Sequence, residues 1–259
     1  MDISNICVIG NDKRMDYTAD YFYSVGYDVY RELEYIDSKS LIVLPPPVGE
    51  QMTRQILPYI ESGQNIYGGM LSDRLIHECN IRDVRIVDYL TCDEVTTENA
   101  ILTAKGIIKE AACMNAVIYE SNCLVTGYGF CAKELARELV NSGARVDIMA
   151  RRRGLEYEIS ERGYGFIHMY NEQITAERLQ KYSYVFNTVP AMVLDKEFIK
   201  LLPGNIMIFD IASAPGGTDF NYCNQNGIFA FHSLGIPGRE FPKQAGEIIA
   251  RYVLNDINI

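Results

Sequence analysis

Two stretches of this sequence carry the residue types and spacing that hold a nucleotide. The first is Gly127-Tyr128-Gly129-Phe130-Cys131-Ala132, which follows the apolar run 123–126 and precedes Leu135, Ala136, Leu139 and Val140 at helical spacing. In such a G-x-G-x-x-A loop the first glycine permits a tight turn and the second removes the side chain that would block a diphosphate. The small sixth residue lets the helix approach the strand, and free N–H groups at the helix start attract phosphate. The plainer alternative is a glycine turn that only packs a strand on a helix. The second stretch lies ~20 residues on, where a dinucleotide fold places the group that grips the adenosine ribose. A carboxylate there selects NAD, but this sequence has Ala150-Arg151-Arg152-Arg153. Guanidinium groups pair with a 2′-phosphate and stack on adenine, so the expected cofactor is NADP(H); a solvated basic turn is the alternative.

Ligands of open parallel sheets bind beyond the C-terminal strand ends. Here those ends are Asn187-Thr188-Val189-Pro190, then Ala212-Ser213-Ala214-Pro215-Gly216-Gly217-Thr218-Asp219, then Ser233-Leu234-Gly235. Thr188 and Ser213 offer hydroxyls to a nicotinamide ring, although Gly, Pro, Ser and Asp also simply make turns. The expected nucleotide contacts are therefore Gly127, Tyr128, Gly129, Phe130, Cys131, Arg151 and Arg152, with Asn187, Thr188, Val189, Pro190, Ala212 and Ser213 on the nicotinamide side.

The elements that must position these residues follow from periodicity. Apolar runs at 5–9, 27–30, 40–44, 65–67 and 84–87 read as strands, with helical candidates between the first four and at 71–79. That alternation predicts a parallel sheet. The segment 14–25 puts Met15, Ala19, Phe22 and Tyr23 on one helix face and stops at Gly26. A long helical stretch at 93–115 carries Ile101, Ala104, Ile108, Ala111 and Ala112. Six further strands follow at 123–126, 145–150, 165–169, 184–188, 205–211 and 228–231, the number in a full Rossmann sheet. The expected fold class is α/β, with two doubly wound parallel-sheet domains. Residues 1–92 form a flavodoxin-like domain, 93–118 an interdomain helix and linker, and 119–238 the Rossmann domain. Residues 239–259 form a C-terminal helix bracing the first domain.

The 259 residues suit two domains. A formal net charge of -10 opposes nonspecific attraction to nucleic acid or an anionic membrane, both themselves negative. With no signal peptide and no ~20-residue apolar span, a cytoplasmic location is expected. Seven cysteines without a C-x-x-C pair read as reduced packing residues, and no metal site is expected.

The run Asn187–Leu194, the string Ile211-Ala212-Ser213-Ala214-Pro215-Gly216-Gly217-Thr218-Asp219-Phe220, and Gly235-Ile236-Pro237-Gly238 with Pro242-Lys243-Gln244-Ala245-Gly246 together resemble the A-type subunit of dipicolinate synthase. The 99–106 stretch of the long helix and the Ala150-Arg151 strand end are similar too. The resemblance covers roughly residues 99–254 and is faint over 1–90; Phe130-Cys131-Ala132 departs from an Arg, small residue, Gly pattern. It implies an NADP-dependent dehydrogenase that oxidises a dihydrodipicolinate-type ring to dipicolinate for sporulation, working with a flavoprotein-like second subunit. A ring dicarboxylate then needs cations or N–H donors, for which Ser213, Lys243 and the backbone at Gly216 and Gly217 are candidates; Arg239 lies outside the family pattern. Asp219 or His232 would take the proton released with the hydride, unless Asp219 caps the next helix and His232 is core. His77 and His168 have no assigned role, and 45–49 (Pro-Pro-Pro-Val-Gly) would shape the substrate side. Two other readings stay open: a different two-domain dehydrogenase acting on 2-hydroxy acids, and an NADP(H)-binding subunit with a structural or regulatory role. Self-association is also open.

Overall fold

A computed structural model describes residues 5–170 and 174–257. The chain divides into two compact units at Asn99/Ala100 and Ile236/Pro237, so the first unit is assembled from two separate stretches of chain and the second from one. Each unit has one wholly parallel sheet.

Unit 1 runs β1 (Ile6–Val8), α1 (Lys13–Ser24), β2 (Val29–Tyr30), β3 (Leu41–Val43), α2 (Glu50–Ile56), β4 (Asn65–Gly68), α3 (Asp73–Ile81) and β5 (Arg85–Asp88). Its strand order is β2-β1-β3-β4-β5, the flavodoxin-type arrangement with its switch point between β1 and β3. Strands β1, β3 and β4 are buried along their whole length. Covering by helices on both faces accounts for their continuous apolar runs where a half-exposed strand would alternate.

The 21-residue helix α4 (Asp93–Cys113) contains the first division point. The stretch 93–118, read from the sequence as a connector, is therefore shared: Ala104, Ile107 and Ala111 are buried in the core of unit 2. Unit 2 continues with β6 (Asn122–Thr126), α5 (Phe130–Asn141), β7 (Arg145–Ala150), α6 (Glu156–Glu161), β8 (Gly165–His168), α7 (Ala176–Leu179) and β9 (Tyr184–Asn187). After these come α8 (Lys196–Ile199), β10 (Met207–Asp210), α9 (Phe220–Gln225), β11 (Phe229–His232) and α10 (Ile236–Glu240), in which the second division falls. The order β11-β10-β9-β6-β7-β8 is the full dinucleotide-binding sheet, reversing direction between β6 and β9. Alternation along each strand feeds two cores. Cys123, Val125, Phe186 and Phe209 face one layer with α4 and α5, while Leu124, Met149, Val185 and Ile208 face the other.

The last helix, α11 (Pro242–Ile257), packs on α1 within unit 1. Met15, Thr18, Ala19 and Phe22 of α1 are buried, as are Ala245, Ile248, Ile249 and Val253 of α11. The Thr18 hydroxyl reaches the Gly246 carbonyl at 3.1 Å. At the other end of α11 the buried Tyr67 donates its hydroxyl to Asp256 (2.5 Å), and Arg85 donates to both Tyr67 (2.6 Å) and Asp256 (2.7 Å).

Three expectations are corrected. Tyr23 is 76% exposed: it falls about 80° round the helix from Met15, and Thr18 takes its place on the buried face. Only a 3₁₀ turn at Leu33–Tyr35 lies between β2 and β3: Leu33 and Ile36 pack on the core, while Arg31, Glu32, Glu34, Asp37 and Lys39 around them are charged. Val140 and Ala112 lie outside the cores they were assigned to. Among the described residues no helix is long and apolar enough to cross a membrane.

Candidate functional site

At the C-terminal ends of β6, β7 and β8 a cleft of about 360 Å³ opens within unit 2. One wall is the turn Gly127–Gly129, another is Arg151 and Arg152 past the end of β7, and a third is Met169 and Tyr170 past β8. Val189 and Ala191, beyond β9, close the side at the strand-order reversal.

Gly127 has φ +90, and a Cβ added there would lie 2.5 Å from the Thr188 Oγ1. The turn is thus closed to other residues by both conformation and space. Gly129 differs: nothing lies within 4 Å of where its Cβ would be. It is also the N-cap of the 12-residue α5, with no side chain capping the first N–H groups and no acidic residue in the first turn. Open space above uncapped, dipole-aligned donors is the cradle a diphosphate occupies. Burial pushes the Cys131 thiol up from its ordinary value, which keeps it neutral beside that cradle. Phe130 is 41% exposed and does not line the cleft.

Arg151 and Arg152 are exposed at the cleft edge, and none of the described residues lining the cleft is acidic. The neighbouring Lys133 is drawn away, its Nζ 3.0 Å from Glu158 and stacked over the Tyr128 ring. The residues present fit a dinucleotide: the glycine cradle and two exposed guanidinium groups share one cavity.

Asn187 and Thr188 are placed beside the glycine turn but are spent on structure. Asn187 Oδ1 accepts from the Thr126 hydroxyl and the Val189 N–H, its Nδ2 donates to the Val189 carbonyl, and the Thr188 hydroxyl donates to the Thr126 carbonyl. They tie the end of β9 to the end of β6 and hold the turn that carries Val189 into the cleft.

The loop 212–219 is organised by Asp210, a residue that sequence reasoning missed. This fully buried carboxylate at the end of β10 accepts from Ala212 N (3.0 Å), Gly217 N (2.8 Å) and the Thr218 hydroxyl (2.7 Å). Gly216 N is bonded to the Ser213 carbonyl at 2.8 Å. The expectation that Gly216 and Gly217 offer backbone donors to a substrate is therefore corrected, since both N–H groups already have acceptors. A Cβ on Gly217 would come within 2.4 Å of the Val189 and Ala191 carbonyls, so the two strand-end loops are in direct contact. Ser213 stays exposed with Ala214 and Pro215. The sequence signal for Asp210 is slight: an acid at a strand end, followed by a string of small residues able to fold back on it.

Asp219 is the N-cap of α9, accepting from Tyr222 N at 2.9 Å. His232, at the end of β11, places Nε2 2.9 Å from the Ala212 carbonyl and stacks on Phe220. Lys243 belongs to unit 1, exposed in the first turn of α11 and 4.0 Å from Glu247, whereas Ser213, Gly216 and Gly217 belong to unit 2.

Unit 1 has its own cleft of about 570 Å³, lined by Gly10, Asn11, Arg31, Pro47, Gln51 and Gln55 among others. It sits at the β1/β3 switch point, where ligands of this strand order bind. Arg31 builds its rim, donating to the Val8 and Gly10 carbonyls (2.7 and 2.6 Å) and to Asp16 (2.6 Å). The sequence placed 45–49 on the substrate side and gave Arg31 no role; Pro47, Gly49 and Arg31 all line this cleft.

The A-type subunit of dipicolinate synthase from Bacillus subtilis (strain 168) is 31% identical over 167 residues, 64% of this chain and 55% of that protein; the matched stretch thus spans about half the relative's length. A crystal structure of the corresponding dipicolinate synthase polypeptide from Bacillus halodurans shares the fold with TM-score 0.86 at 24% identity, over 98% of each chain. A transhydrogenase from Sinorhizobium meliloti gives TM-score 0.70 at 13% identity, over 92% of this chain and 79% of that one. Dehydrogenases are among the other solved structures with this fold, and no family model matches. The A-type subunit of dipicolinate synthase is the family this chain resembles in sequence and fold alike, on the two-sheet frame of the dehydrogenases.

Proposed function

We propose that this chain is an NADP-dependent oxidoreductase. By its resemblance to the A-type polypeptide of dipicolinate synthase, it would oxidise a dihydrodipicolinate-type ring to dipicolinate together with a second, flavoprotein-like subunit. The observation that carries the reading is the single cavity that joins the Gly127–Gly129 turn to Arg151 and Arg152 without an acidic residue among the described lining. Under this reading the N–H groups at the start of α5 hold the pyrophosphate, the two arginines hold the 2′-phosphate, and Asn187 and Thr188 position the turn on the nicotinamide side. NADP⁺, when bound, supplies the hydride acceptor.

His232 is the group for the proton. Its bond to the Ala212 carbonyl assigns Nε2 as the protonated nitrogen and leaves Nδ1 as the basic one. Asp219 is the weaker candidate because one of its oxygens already caps α9.

A second reading, an NADP(H)-binding subunit without chemistry of its own, is favoured by the commitment of Asn187, Asp210 and Asp219 to loop structure. The two separate experimentally. Purified chain is titrated with NADPH and NADH, then assayed with NADP⁺ and dihydrodipicolinate, alone and with the second subunit. NADPH binding and turnover in either condition support the enzyme; binding without turnover in both supports the other reading. Arg151→Ala/Arg152→Ala should weaken NADPH binding roughly 10²-fold or more at two charge-assisted bonds and NADH binding little. Equal losses for both nucleotides would remove the NADP assignment.

A further inference from the structure

We propose that Asp210 is the positioning residue for His232: its carboxylate fixes both surfaces that hold the imidazole, and so keeps the ring in the tautomer that leaves Nδ1 to take a proton. The consequence for turnover rests on the reading of His232 as proton acceptor; the geometry does not.

His232 ends β11 and is aligned in register with Asp210, which ends β10. A carbonyl oxygen only accepts, so the 2.9 Å contact between Nε2 and the Ala212 carbonyl places the proton on Nε2. The residue that carries this carbonyl is itself pinned, because Ala212 N donates to Asp210 Oδ1 at 3.0 Å. The face of the imidazole lies on the Phe220 ring, with centroids 5.4 Å apart and planes inclined by 26°. That platform is tied to the other carboxylate oxygen. Asp210 Oδ2 accepts from the Thr218 hydroxyl (2.7 Å) and from Gly217 N (2.8 Å), and the Thr218 carbonyl in turn accepts from Phe220 N at 2.9 Å. The Asp210 carbonyl also accepts from Ser233 N at 2.8 Å, which sets the chain just past the imidazole.

Gly216 shows how closely the two side chains approach. A Cβ there would lie 3.1 Å from Asp210 Oδ2 and 3.3 Å from both Cε1 and Nε2 of His232. Carboxylate and imidazole therefore face one backbone point, with a glycine hydrogen between them. The other tautomer would set an Nε2 lone pair against the Ala212 carbonyl. Swinging that carbonyl away would break bonds to a fully buried carboxylate, and leaving such a group short of donors is costly. The cost of disturbing Asp210 is thus what holds the tautomer of His232.

The test is NMR of the full chain labelled with 15N-histidine. The three histidines are His77, His168 and His232, and the signals of His232 are those lost in His232→Asn. In the parent, Nε2 should carry a proton protected from exchange with water and Nδ1 should resonate as an unprotonated nitrogen. Asp210→Asn puts an NH2 group where an oxygen accepted, so exchange at Nε2 should quicken roughly tenfold or more, the factor carried by one charge-assisted bond. Turnover should fall on the order of tenfold to a hundredfold through misplacement of the ring, with NADPH affinity retained. Thr218→Val loses a single bond, so it reports even if Asp210→Asn fails to fold; exchange at Nε2 should quicken severalfold. Unchanged exchange in the variants that fold, or a parent whose Nε2 has no protected proton, overturns the proposal. Normal turnover in His232→Asn would instead remove the proton-acceptor reading and leave the tie between Asp210 and His232 standing.

Discussion

The Thr218 hydroxyl donates to the buried Asp210 carboxylate at 2.7 Å, and that bond pins the far end of the loop that begins at Ala212. Removing the carboxylate strands three donors. Asp210→Ala should destabilise the protein by roughly 3–5 kcal/mol and Thr218→Val by about 1–2 kcal/mol. In urea denaturation the double variant should cost less than the sum of the two, because the pair shares one interaction. Additive losses would mean that the loop is held by something else.

Gly127 and Gly129 should separate stability from binding. Gly127→Ala meets the Thr188 hydroxyl and a positive φ, and is expected to lower both the melting temperature and NADPH affinity. Gly129→Ala has room in the unliganded fold, so its melting temperature should stay within about 2 °C of the parent. Its NADPH affinity should nonetheless fall at least tenfold, because the new methyl takes the space of the diphosphate. A Gly129→Ala variant that binds NADPH normally would show that the phosphate path lies elsewhere.

Asp219 and His232 can be told apart by replacements that respect their structural work. Asparagine caps helices as well as aspartate does, so Asp219→Asn should fold normally and keep its turnover. His232→Asn should lower kcat by roughly 10²–10⁴-fold, the usual contribution of a general base, with NADPH affinity unchanged. The reverse pattern in steady-state kinetics would transfer the role to Asp219.

The clasp of Tyr67, Arg85 and Asp256 predicts a pH dependence. Burial alone would raise the Asp256 carboxyl, but hydrogen bonds from Tyr67 and Arg85 and the Arg85 charge outweigh it and hold the group below the usual carboxylate range. A carboxyl depressed in the folded state stabilises the fold above its unfolded pKa near 4 and loses that contribution as pH falls through the folded value. Asp256→Ala should thus cost about 2 kcal/mol at pH 7, and its gap to the parent should narrow as the pH drops below about 4. A constant gap in chemical denaturation from pH 7 to pH 3 would sink this account.

Much of the frame is readable in the residues because its signals are local. The strand Arg145–Ala150 is bounded as expected, and the glycine turn lies between a strand and a helix as its spacing requires. What escapes is long-range. Asp210 looks like the end of any strand until its partners at 217 and 218 fold back on it, and Arg31 shows no role until its carbonyl acceptors at 8 and 10 are in place. Gly216 and Gly217 mislead for the same reason: glycines that free a backbone for a ligand are indistinguishable in sequence from glycines that let a loop close on a neighbouring carboxylate. Tyr23 was misplaced for a smaller reason, since a helix face about 100° wide leaves its margin to be settled by what packs beside it.

The return of α11 to α1 has a consequence for how the polypeptide comes off the ribosome. Synthesis is N-terminal first and domains fold as units, yet unit 1 lacks a covering helix until residues 242–257 have emerged. Unit 2, though started later, is complete in one uninterrupted stretch. Unit 2 can therefore be complete while Met15, Ala19 and Phe22 of unit 1 still await α11, and loss of that helix would leave an apolar face open to aggregation.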